Sequence, residues 1–384
     1  MPGPVAYLNN ANVCLDYVVG AESAEEFDDA KCVVKQICSK WKNAKDADIS
    51  VEIIGGGITN RLYRLIWDNK SVLVRVYGDN TEMFIDRNIE NKVFALLSER
   101  KFAPIYYGCF TNGRIEGWLD ARPLKPEDMG QTEPINYLRM IARELGTMHI
   151  MEIPGDRAPV LWTKMNCFEK LAIQSDLKDK FQNKTLEKID LARLHQKMQW
   201  LMSVLPSALN CNGRDLIYNL NTDETTKQAL AFASDVVFSH NDLLSGNILH
   251  NKEWNRVQII DYEYGGYNFR GFDFANHFCE NCGFELDLAL YPSVEKQMAF
   301  FKGYMSTAAP ELLAQLEANN ELNAFLRALN GVVSRYALAS HLLWGYWALV
   351  QTVHSKIDFD FLQYAAKRFD AFDKQRELFC EFTK

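Results

Sequence analysis

The sequence lacks an excess of basic residues. Its 384 residues contain 42 Lys and Arg against 50 Asp and Glu, which gives a formal net charge of −8. Nucleic acids bind faces that are rich in Lys and Arg, because the phosphates dominate the affinity. The composition therefore argues against a nucleic-acid partner.

Targeting and membrane signals are also missing. No basic residue precedes Lys31, whereas a secretory signal needs a positive charge followed by an apolar run. The longest stretch without Asp, Glu, Lys or Arg, residues 336–355, is long enough to span a bilayer but contains seven polar or glycine positions. We therefore expect no membrane insertion and a cytoplasmic location, and we interpret residues 336–355 as a buried core helix.

Cysteine is not used as it is in a disulfide framework. The nine cysteines are odd in number and scattered, as is typical of a reduced protein in which cysteine acts as a small apolar residue. Cys279 and Cys282, close to His277, have a metal-like spacing. No second Cys/His pair of matching spacing follows, so the sequence does not predict a zinc site, and the cysteines stay without a predicted role.

The length predicts two lobes, at roughly 100–200 residues per domain. Residues 1–48 are expected to form a helical N-terminal extension. In 49–120, strand patterns at 49–54, 60–67, 71–77 and 106–119 and a helix over 87–100 predict a β-rich N-lobe. Residues 121–384 predict a larger, mainly helical C-lobe. The fold class is α+β, and the crevice between two such lobes is the default ligand site.

Two acidic motifs follow short apolar runs in the predicted C-lobe. Asp242 and Asn247 stand five positions apart after the run 236–239, and Asp261 and Glu263 end a second run. Phosphoryl transfer needs a carboxylate that accepts the proton of the attacking hydroxyl, and oxygen ligands that hold Mg²⁺ on the phosphates. Asp and Asn also cap turns after strands, which is the structural alternative for either motif alone. The two motifs together favour phosphoryl transfer.

The predicted N-lobe carries features of a nucleotide site. The glycine-rich turn from Gly55 to Gly57 would let backbone amides approach phosphate, with Thr59 or Asn60 as hydrogen-bond donors. Arg75 stands within an apolar strand, where a charge needs a partner or a ligand.

Glu90, on the helix that follows, is the expected partner of Arg75. This helix is predicted to place Ile89, Val93, Leu96 and Leu97 on one face. An ion pair that organises ATP phosphates is the functional interpretation, and a purely structural ion pair is the alternative.

Aromatic residues near the C-terminus suggest a site for a cation. Trp344 and Trp347 are three residues apart and share a helix face, and Tyr364 follows. Aromatic faces attract an ammonium through their quadrupoles. Glu280 would supply the ionic counterpart of an amine. Ordinary core packing is the alternative for helix-spaced tryptophans.

Taken together, these segments resemble the choline/ethanolamine kinases, whose fold is like that of eukaryotic protein kinases. Residues 240–249 resemble the catalytic loop of that family, and residues 259–280 are similar to the segment that binds metal and leads to the amine site. Residues 337–347 resemble the helix that forms the aromatic amine pocket. The likeness extends from about residue 50 to 375, and it implies a two-lobed protein-kinase-like fold with ATP and Mg²⁺ as cofactors.

The resemblance also implies roles for individual residues. Asp242 would be the catalytic base and contact the substrate, with Asn247, Asp261 and Glu263 on Mg²⁺. The expected ATP contacts are Gly57, Thr59, Asn60, Arg75 oriented by Glu90, and a hinge from Glu116 to Leu119 that receives adenine. The expected amine contacts are Glu280, Trp344, Trp347 and Tyr364.

The choice of amine divides the family resemblance. Leu244 stands where choline kinases more usually carry Gln. The Leu243-Leu244 pair and segments 57–60, 77–82, 86–87 and 357–362 are more similar to ethanolamine kinases. Residues 269–273 and the Cys279-Glu280 pair resemble the choline branch, although residues 281–290 depart from it.

We therefore predict an ethanolamine kinase, which would supply phosphoethanolamine as the first step of the CDP-ethanolamine route to phosphatidylethanolamine. The alternatives are a choline or dual-specificity kinase, a kinase-like phosphotransferase for another small molecule, and an inactive kinase-fold binding module. Relatives of this family often dimerise, so the resemblance suggests a homodimer.

Overall fold

The structure, a computed structural model, describes residues 10, 12–20, 23–55, 60–78, 81–83, 85–174, 189–205, 223–355 and 357–381. The chain divides into two compact units. The first contains the described residues up to Arg122 together with Gln258–Glu263, and the second contains Pro123–Val257 and the chain from Tyr264 onward. The first unit is built around a β-sheet and the second is mainly helical, which confirms the predicted α+β, kinase-like fold class.

The strands of the described residues, in chain order, are β1 Cys14–Leu15, β2 Ser50–Ile54, β3 Asn60–Trp67, β4 Lys70–Tyr77, β5 Tyr106–Phe110, β6 Gly113–Gly117, β7 Arg122–Pro123, β8 Val236–Ser239, β9 Ile248–His250, β10 Gln258–Ile259 and β11 Gly266–Phe269. The α-helices are α1 Ser23–Ile37, α2 Arg87–Glu99, α3 Pro126–Met129, α4 Tyr137–His149, α5 Leu161–Gln174, α6 Leu191–Val204, α7 Glu224–Ser234, α8 Arg270–Glu280, α9 Val294–Ala308, α10 Pro310–Ala318, α11 Leu322–His354 and α12 Phe361–Glu381.

A six-stranded sheet forms the first unit, in the order β1-β5-β6-β4-β3-β2. The predicted strands at 49–54, 60–67, 71–77 and 106–119 are confirmed as β2 to β6. Strand β1 pairs in parallel with β5 and lies within the segment predicted as a helical extension, so that prediction was incomplete. The residues before position 49 also share the sheet's core instead of forming a separate element, since α1 contributes Val33 and Val34 to it.

Alternation along β4 gives the sheet two different faces. Val72, Val74 and Val76 point into the apolar core shared with α1. Arg75 therefore projects from the opposite face, the one that α2 covers. The strand thus places a buried cation on the α2 side of the sheet.

Helix α2 has a polar residue at the centre of its buried face. Glu90, Phe94 and Leu97 are buried, whereas Ile89 is 60% exposed. The predicted apolar face that included Ile89 is therefore wrong. Glu90 takes the inward position because it meets arginines there, and their charges compensate its burial.

Residues 258–263 join the first unit, although the sequence assigned them to the larger lobe. The ring of Tyr262 lies 5.8 Å from that of Phe94 and 6.2 Å from that of Phe102. Gln258 also donates a hydrogen bond to the carbonyl of Phe102. These contacts fix the segment that carries Asp261 and Glu263 against α2.

The second unit is organised around α11, a helix of 33 residues. It packs against α5, α7, α8 and α12. Every residue from Tyr336 to Gln351 is buried, which confirms the predicted core helix. Among the described residues, no helix has the length and apolar content that crossing a bilayer requires.

Two antiparallel strands in the second unit frame a loop. Strand β8 pairs with β11, with Ser239 opposite Gly266. The chain leaves β8 into residues 240–247, and it leaves β11 directly into α8. Helix α8 begins at the far end of this ladder, where Phe269 pairs with Val236, and its Asp273 meets the loop through hydrogen bonds from two backbone amides.

Candidate active site

The loop after β8 is held by a buried carboxylate on α8. Asp273 accepts hydrogen bonds from the backbone amides of His240 and Asn241, both at 2.8 Å, and from His149 Nε2 at 2.9 Å. Burial on its own would raise the pKa of Asp273, but the bonds from His149 and the charge effects outweigh it and lower the pKa. Asn241 takes a left-handed conformation at φ 66°, which Asn tolerates better than most residues. The backbone before position 242 is thus fixed.

Asp242 and Asn247 meet within this loop. The Nδ2 of Asn247 donates to the backbone carbonyl of Asp242 at 2.9 Å and to its Oδ2 at 3.3 Å. The Nδ2 of Asn247 therefore orients the Asp242 carboxylate, and the Oδ1 of Asn247 is the atom suited to a cation. The structure brings together these two predicted residues, the base and one metal ligand.

Helix α8 presents a stripe of buried polar side chains. Asp273, Asn276, His277 and Glu280 follow at helical spacing on one face. Asn276 Oδ1 accepts from Trp344 Nε1 at 2.7 Å, and its Nδ2 donates to the Asn241 carbonyl at 3.1 Å.

Sequence reasoning missed Asn276, which connects the loop that carries Asp242 to Trp344 of the predicted amine site. The signal that could have identified it is an Asn between the aromatic residues Phe274 and Phe278 of one helix, since a buried amide needs hydrogen-bond partners.

His277 gives the second unit a defined response to acid. Burial lowers the pKa of His277 to about 4, and its Nδ1 lies 2.9 Å from the Leu243 carbonyl. An ordinary histidine titrates near pH 6.5, so between these values the unfolded chain binds a proton that the folded chain does not. Stability therefore falls as the pH falls through this window.

We expect His277 to lower the free energy of unfolding by about 2 kcal/mol at pH 5 relative to pH 7. Thermal unfolding of the wild type and of His277→Gln at both pH values checks this. The variant should lose less stability between pH 7 and pH 5. Equal losses in the two proteins would contradict the assignment.

The predicted amine residues lie in one aromatic cluster of the second unit. Trp344 and Trp347 are 5.5 Å apart between ring centroids, and they contact Tyr264 and Phe361 respectively at 5.2 and 5.7 Å. Further contacts of 4.8 to 5.9 Å extend the cluster through Phe359, Tyr364 and Phe284. The structure thus adds Tyr264, Phe284, Phe359 and Phe361 to the predicted aromatic residues.

Asn276 connects this aromatic cluster to the loop that carries Asp242, because it bonds both Trp344 and the Asn241 carbonyl. Burial raises the pKa of Tyr364, Arg368 opposes the rise, and the charges of Glu280 and Asp242 add to it. The aromatic cluster and the predicted base belong to the same region of the second unit.

Glu280, the predicted ionic counterpart of the amine, already has a cationic partner in the aromatic region. Arg368, which is fully buried, donates to Glu280 Oε1 and to the hydroxyl of Tyr364. The sequence analysis missed this arginine. Its spacing of four residues from Tyr364 on an amphipathic helix is the signal that could have revealed it.

The first unit contains a chain of alternating charges instead of the predicted Arg75–Glu90 pair. Arg75 Nε donates to Glu116 at 2.8 Å, and its Nη1 donates to Asp261 Oδ2 at 3.1 Å. Glu90 instead bonds Arg114 and Arg87. The predicted pairing was wrong because the alternation of β6 places a second arginine, Arg114, between the two groups.

The complete chain of charges consists of four acids and three arginines. In order of contact its members are Asp261, Arg75, Glu116, Arg114, Glu90, Arg87 and Glu263. Burial alone would raise the pKa of Glu116, but the charges of Arg75 and Arg114 lower it. The chain holds one excess negative charge, and both of its ends are carboxylates of the segment 258–263.

These carboxylates form a candidate metal centre. One oxygen each from Glu90, Asp261 and Glu263 lie within 4.8 Å of one another. Burial and then the charge of Asp261 raise the pKa of Glu263, because two neighbouring buried carboxylates disfavour each other's ionised form, and the charges of Arg87 and Arg75 oppose the rise. Asp261 Oδ1 is buried and has no hydrogen-bond partner among the described residues. Carboxylate oxygens are the ligands that Mg²⁺ prefers, so the residues fit this ion.

The predicted ATP contacts are placed unevenly. Gly57 and Thr59 lie outside the described residues. Asn60 begins β3, and its Nδ2 donates to Glu263 Oε2 at 3.3 Å. The side chain of Glu116 is committed to arginines, so a hinge role would use the backbone that follows β6. Leu119 lies there, and its carbonyl accepts from the amide of Ala121 at 2.9 Å.

Comparison with known proteins agrees with this geometry. The family model described as choline/ethanolamine kinase matches residues 51–373. The chain is 36% identical to a probable ethanolamine kinase of Arabidopsis thaliana, over 90% of this chain and 84% of the relative.

Two solved structures are similar over nearly the whole chain. An ethanolamine kinase of Plasmodium vivax has a TM-score of 0.72 at 26% identity and covers 94% of this chain and 93% of its own. A choline kinase of Cryptosporidium parvum has a TM-score of 0.73 at 25% identity and covers 93% and 97%. With a family match over most of its length, this chain belongs to the choline/ethanolamine kinase family.

Proposed function

We propose that the protein is an ATP- and Mg²⁺-dependent kinase that phosphorylates the hydroxyl of ethanolamine, giving phosphoethanolamine and ADP. The observation that carries this proposal is the second unit's loop, in which Asp242 is oriented by Asn247 and which Asn276 joins to Trp344 of the aromatic cluster. A base next to a site for an organic cation is what phosphorylation of an amino alcohol requires.

In this mechanism the substrate's hydroxyl oxygen forms a bond to the γ-phosphorus while the bond from that phosphorus to ADP breaks. The Asp242 carboxylate accepts the proton of that hydroxyl. Asn247 keeps the carboxylate oriented through its Nδ2. Asp261 and Glu263 would hold Mg²⁺, which when bound neutralises charge on the phosphates, and a contribution of Asn247 to that ion stays a prediction of the family resemblance. Arg75, beside Asp261, would contact the phosphates directly.

The amine end of the substrate would meet Trp344, Trp347 and Tyr364. Their faces attract an ammonium, and Glu280 offers an oxygen to its N–H groups. The ethanolamine kinases among the similar proteins support ethanolamine. The runner-up is choline or dual use, because an aromatic cluster also suits a quaternary ammonium and a choline kinase is similar over nearly the whole chain.

The choice of amine predicts a ratio of specificity constants. We expect kcat/KM for ethanolamine to exceed that for choline by about tenfold or more, measured by coupled ADP release under matched ATP and Mg²⁺. A tenfold preference for choline would reverse the assignment. ADP formation only with sugars or aminoglycosides would favour another class of phosphotransferase. The absence of ADP formation with every acceptor would indicate a binding module.

We further infer a cytoplasmic role that feeds phosphatidylethanolamine synthesis. The free cysteines of the described residues, buried in part, are in keeping with a reducing compartment. The homodimer suggested by the family resemblance stays a prediction, which sedimentation of the purified chain would test.

A further inference from the structure

Arg368 is a buried cation at the centre of the predicted amine residues. On α12, its Nε and Nη2 donate to the Tyr364 hydroxyl at 2.9 and 2.6 Å, and Nη2 also donates to Glu280 Oε1. Its Nη1 lies 3.3 Å from Nδ1 of His341. The arginine is fully buried, and Glu280, Tyr364 and His341 are each at most 4% exposed.

The charges in this cluster cancel. Burial lowers the pKa of His341 well below its usual range, so the imidazole is neutral and accepts from Arg368. Glu280 and Arg368 form an ion pair with no net charge. An ionised carboxylate this deeply buried needs such a partner. A substrate cation therefore meets a compensated dipole instead of a bare negative charge.

The hydrogen bonds of the cluster leave specific groups available. Only Oε1 of Glu280 is engaged by Arg368. Among the residues that the structure describes, no hydrogen bond reaches Oε2, and Oε2 is not one of their fully enclosed atoms without a partner, so it is open to a ligand. The Tyr364 oxygen accepts two N–H groups from Arg368, which fixes the phenol at the edge of the aromatic cluster.

We propose that Arg368 is a positioning residue that sets amine specificity, by holding Glu280 through Oε1 so that Oε2 accepts a hydrogen bond from a primary ammonium. A primary ammonium has three N–H donors, whereas a trimethylammonium has none. Because the ion pair is neutral, that hydrogen bond contributes more to binding of the amine than its positive charge alone does. The inference rests on the proposed function and names the residue behind its substrate preference.

Steady-state kinetics of Arg368→Gln test the proposal, with ethanolamine, choline and ATP varied in turn. We expect KM for ethanolamine to rise about tenfold, the change that loss of 1.4 kcal/mol produces. KM for ATP should stay within about twofold, and the ethanolamine-to-choline ratio of kcat/KM should fall about tenfold. Arg368→Lys, which keeps the charge, should restore part of the ratio, and Lys374→Gln, at an exposed position of the same helix, should change nothing.

Equal losses for the two amines, or a raised KM for ATP with an unchanged KM for ethanolamine, would overturn the proposal. If Arg368→Gln does not fold, Tyr364→Phe decides, because it removes one anchor of the arginine and keeps the ring. That variant should lower the ethanolamine-to-choline ratio about threefold, and an unchanged ratio would overturn the proposal. A wild type that phosphorylates neither amine would refute the proposed function itself, a result distinct from the outcomes with the two variants.

Discussion

Replacing Asp242 by Asn should lower kcat with ethanolamine by about 100- to 10,000-fold, the usual contribution of a positioned general base. The substitution keeps the size of the side chain and removes its capacity to accept the substrate's proton. The loop should keep its conformation, because its backbone is held by Asp273 and its Asn241 carbonyl by Asn276. Initial rates at saturating ATP and ethanolamine measure the effect.

A matched control separates chemistry from folding. Asp370→Asn makes the same change at an exposed position of α12 and should leave kcat unaltered. Thermal unfolding should show both variants folded at the assay temperature. A kcat for Asp242→Asn within about threefold of the wild type would show that another group is the base.

Replacing Arg114 by Met should destabilise the first unit by about 3–5 kcal/mol, the cost of breaking a buried ion pair on one side. Arg114 is fully buried, and it contacts both Glu90 and Glu116. Its removal raises the excess negative charge of the chain of alternating charges from one to two. The buried acids then favour a proton, so the defect should be smaller at pH 5 than at pH 8.

Denaturant unfolding at these two pH values measures the effect. Arg100→Met removes an exposed arginine at the end of α2 and should cost little. Arg114→Lys should lie between the two, because a single ammonium does not reproduce the forked contacts of a guanidinium. An Arg114→Met curve that coincides with the wild type would refute the structural role of the chain of charges.

Local sequence patterns predicted much of the fold, because strand alternation and turn residues act over short distances along the chain. The strands β2 to β4 and the buried stretch of α11 were predictable for that reason. The loop with Asp242 and Asn247 was predictable because both residues belong to one turn. Strand β1 was missed, since two residues in a sheet-edge pairing leave no periodic signal.

Partners that come from distant segments were not predictable in the same way. Arg75 was assigned to Glu90 because the sequence gives no register between β4 and β6, and the register places Arg114 opposite Arg75. Glu280 was predicted only as the ionic counterpart of an amine, and its contact with Arg368 was missed because the two residues are 88 positions apart in sequence. The exposure of Ile89 and the burial of Glu90 were also not predictable from the local pattern. A buried charge is stable only with counter-ions, and these come from distant segments.

The central claim is transfer of the γ-phosphoryl group to the hydroxyl of a small amino alcohol. Phosphorus NMR of the wild type with ATP, Mg²⁺ and ethanolamine follows every phosphorus species at once. The account predicts one phosphomonoester, phosphoethanolamine, that appears in equal amount with ADP and is absent when ethanolamine is left out. Release of inorganic phosphate with ADP while ethanolamine is unchanged would contradict it.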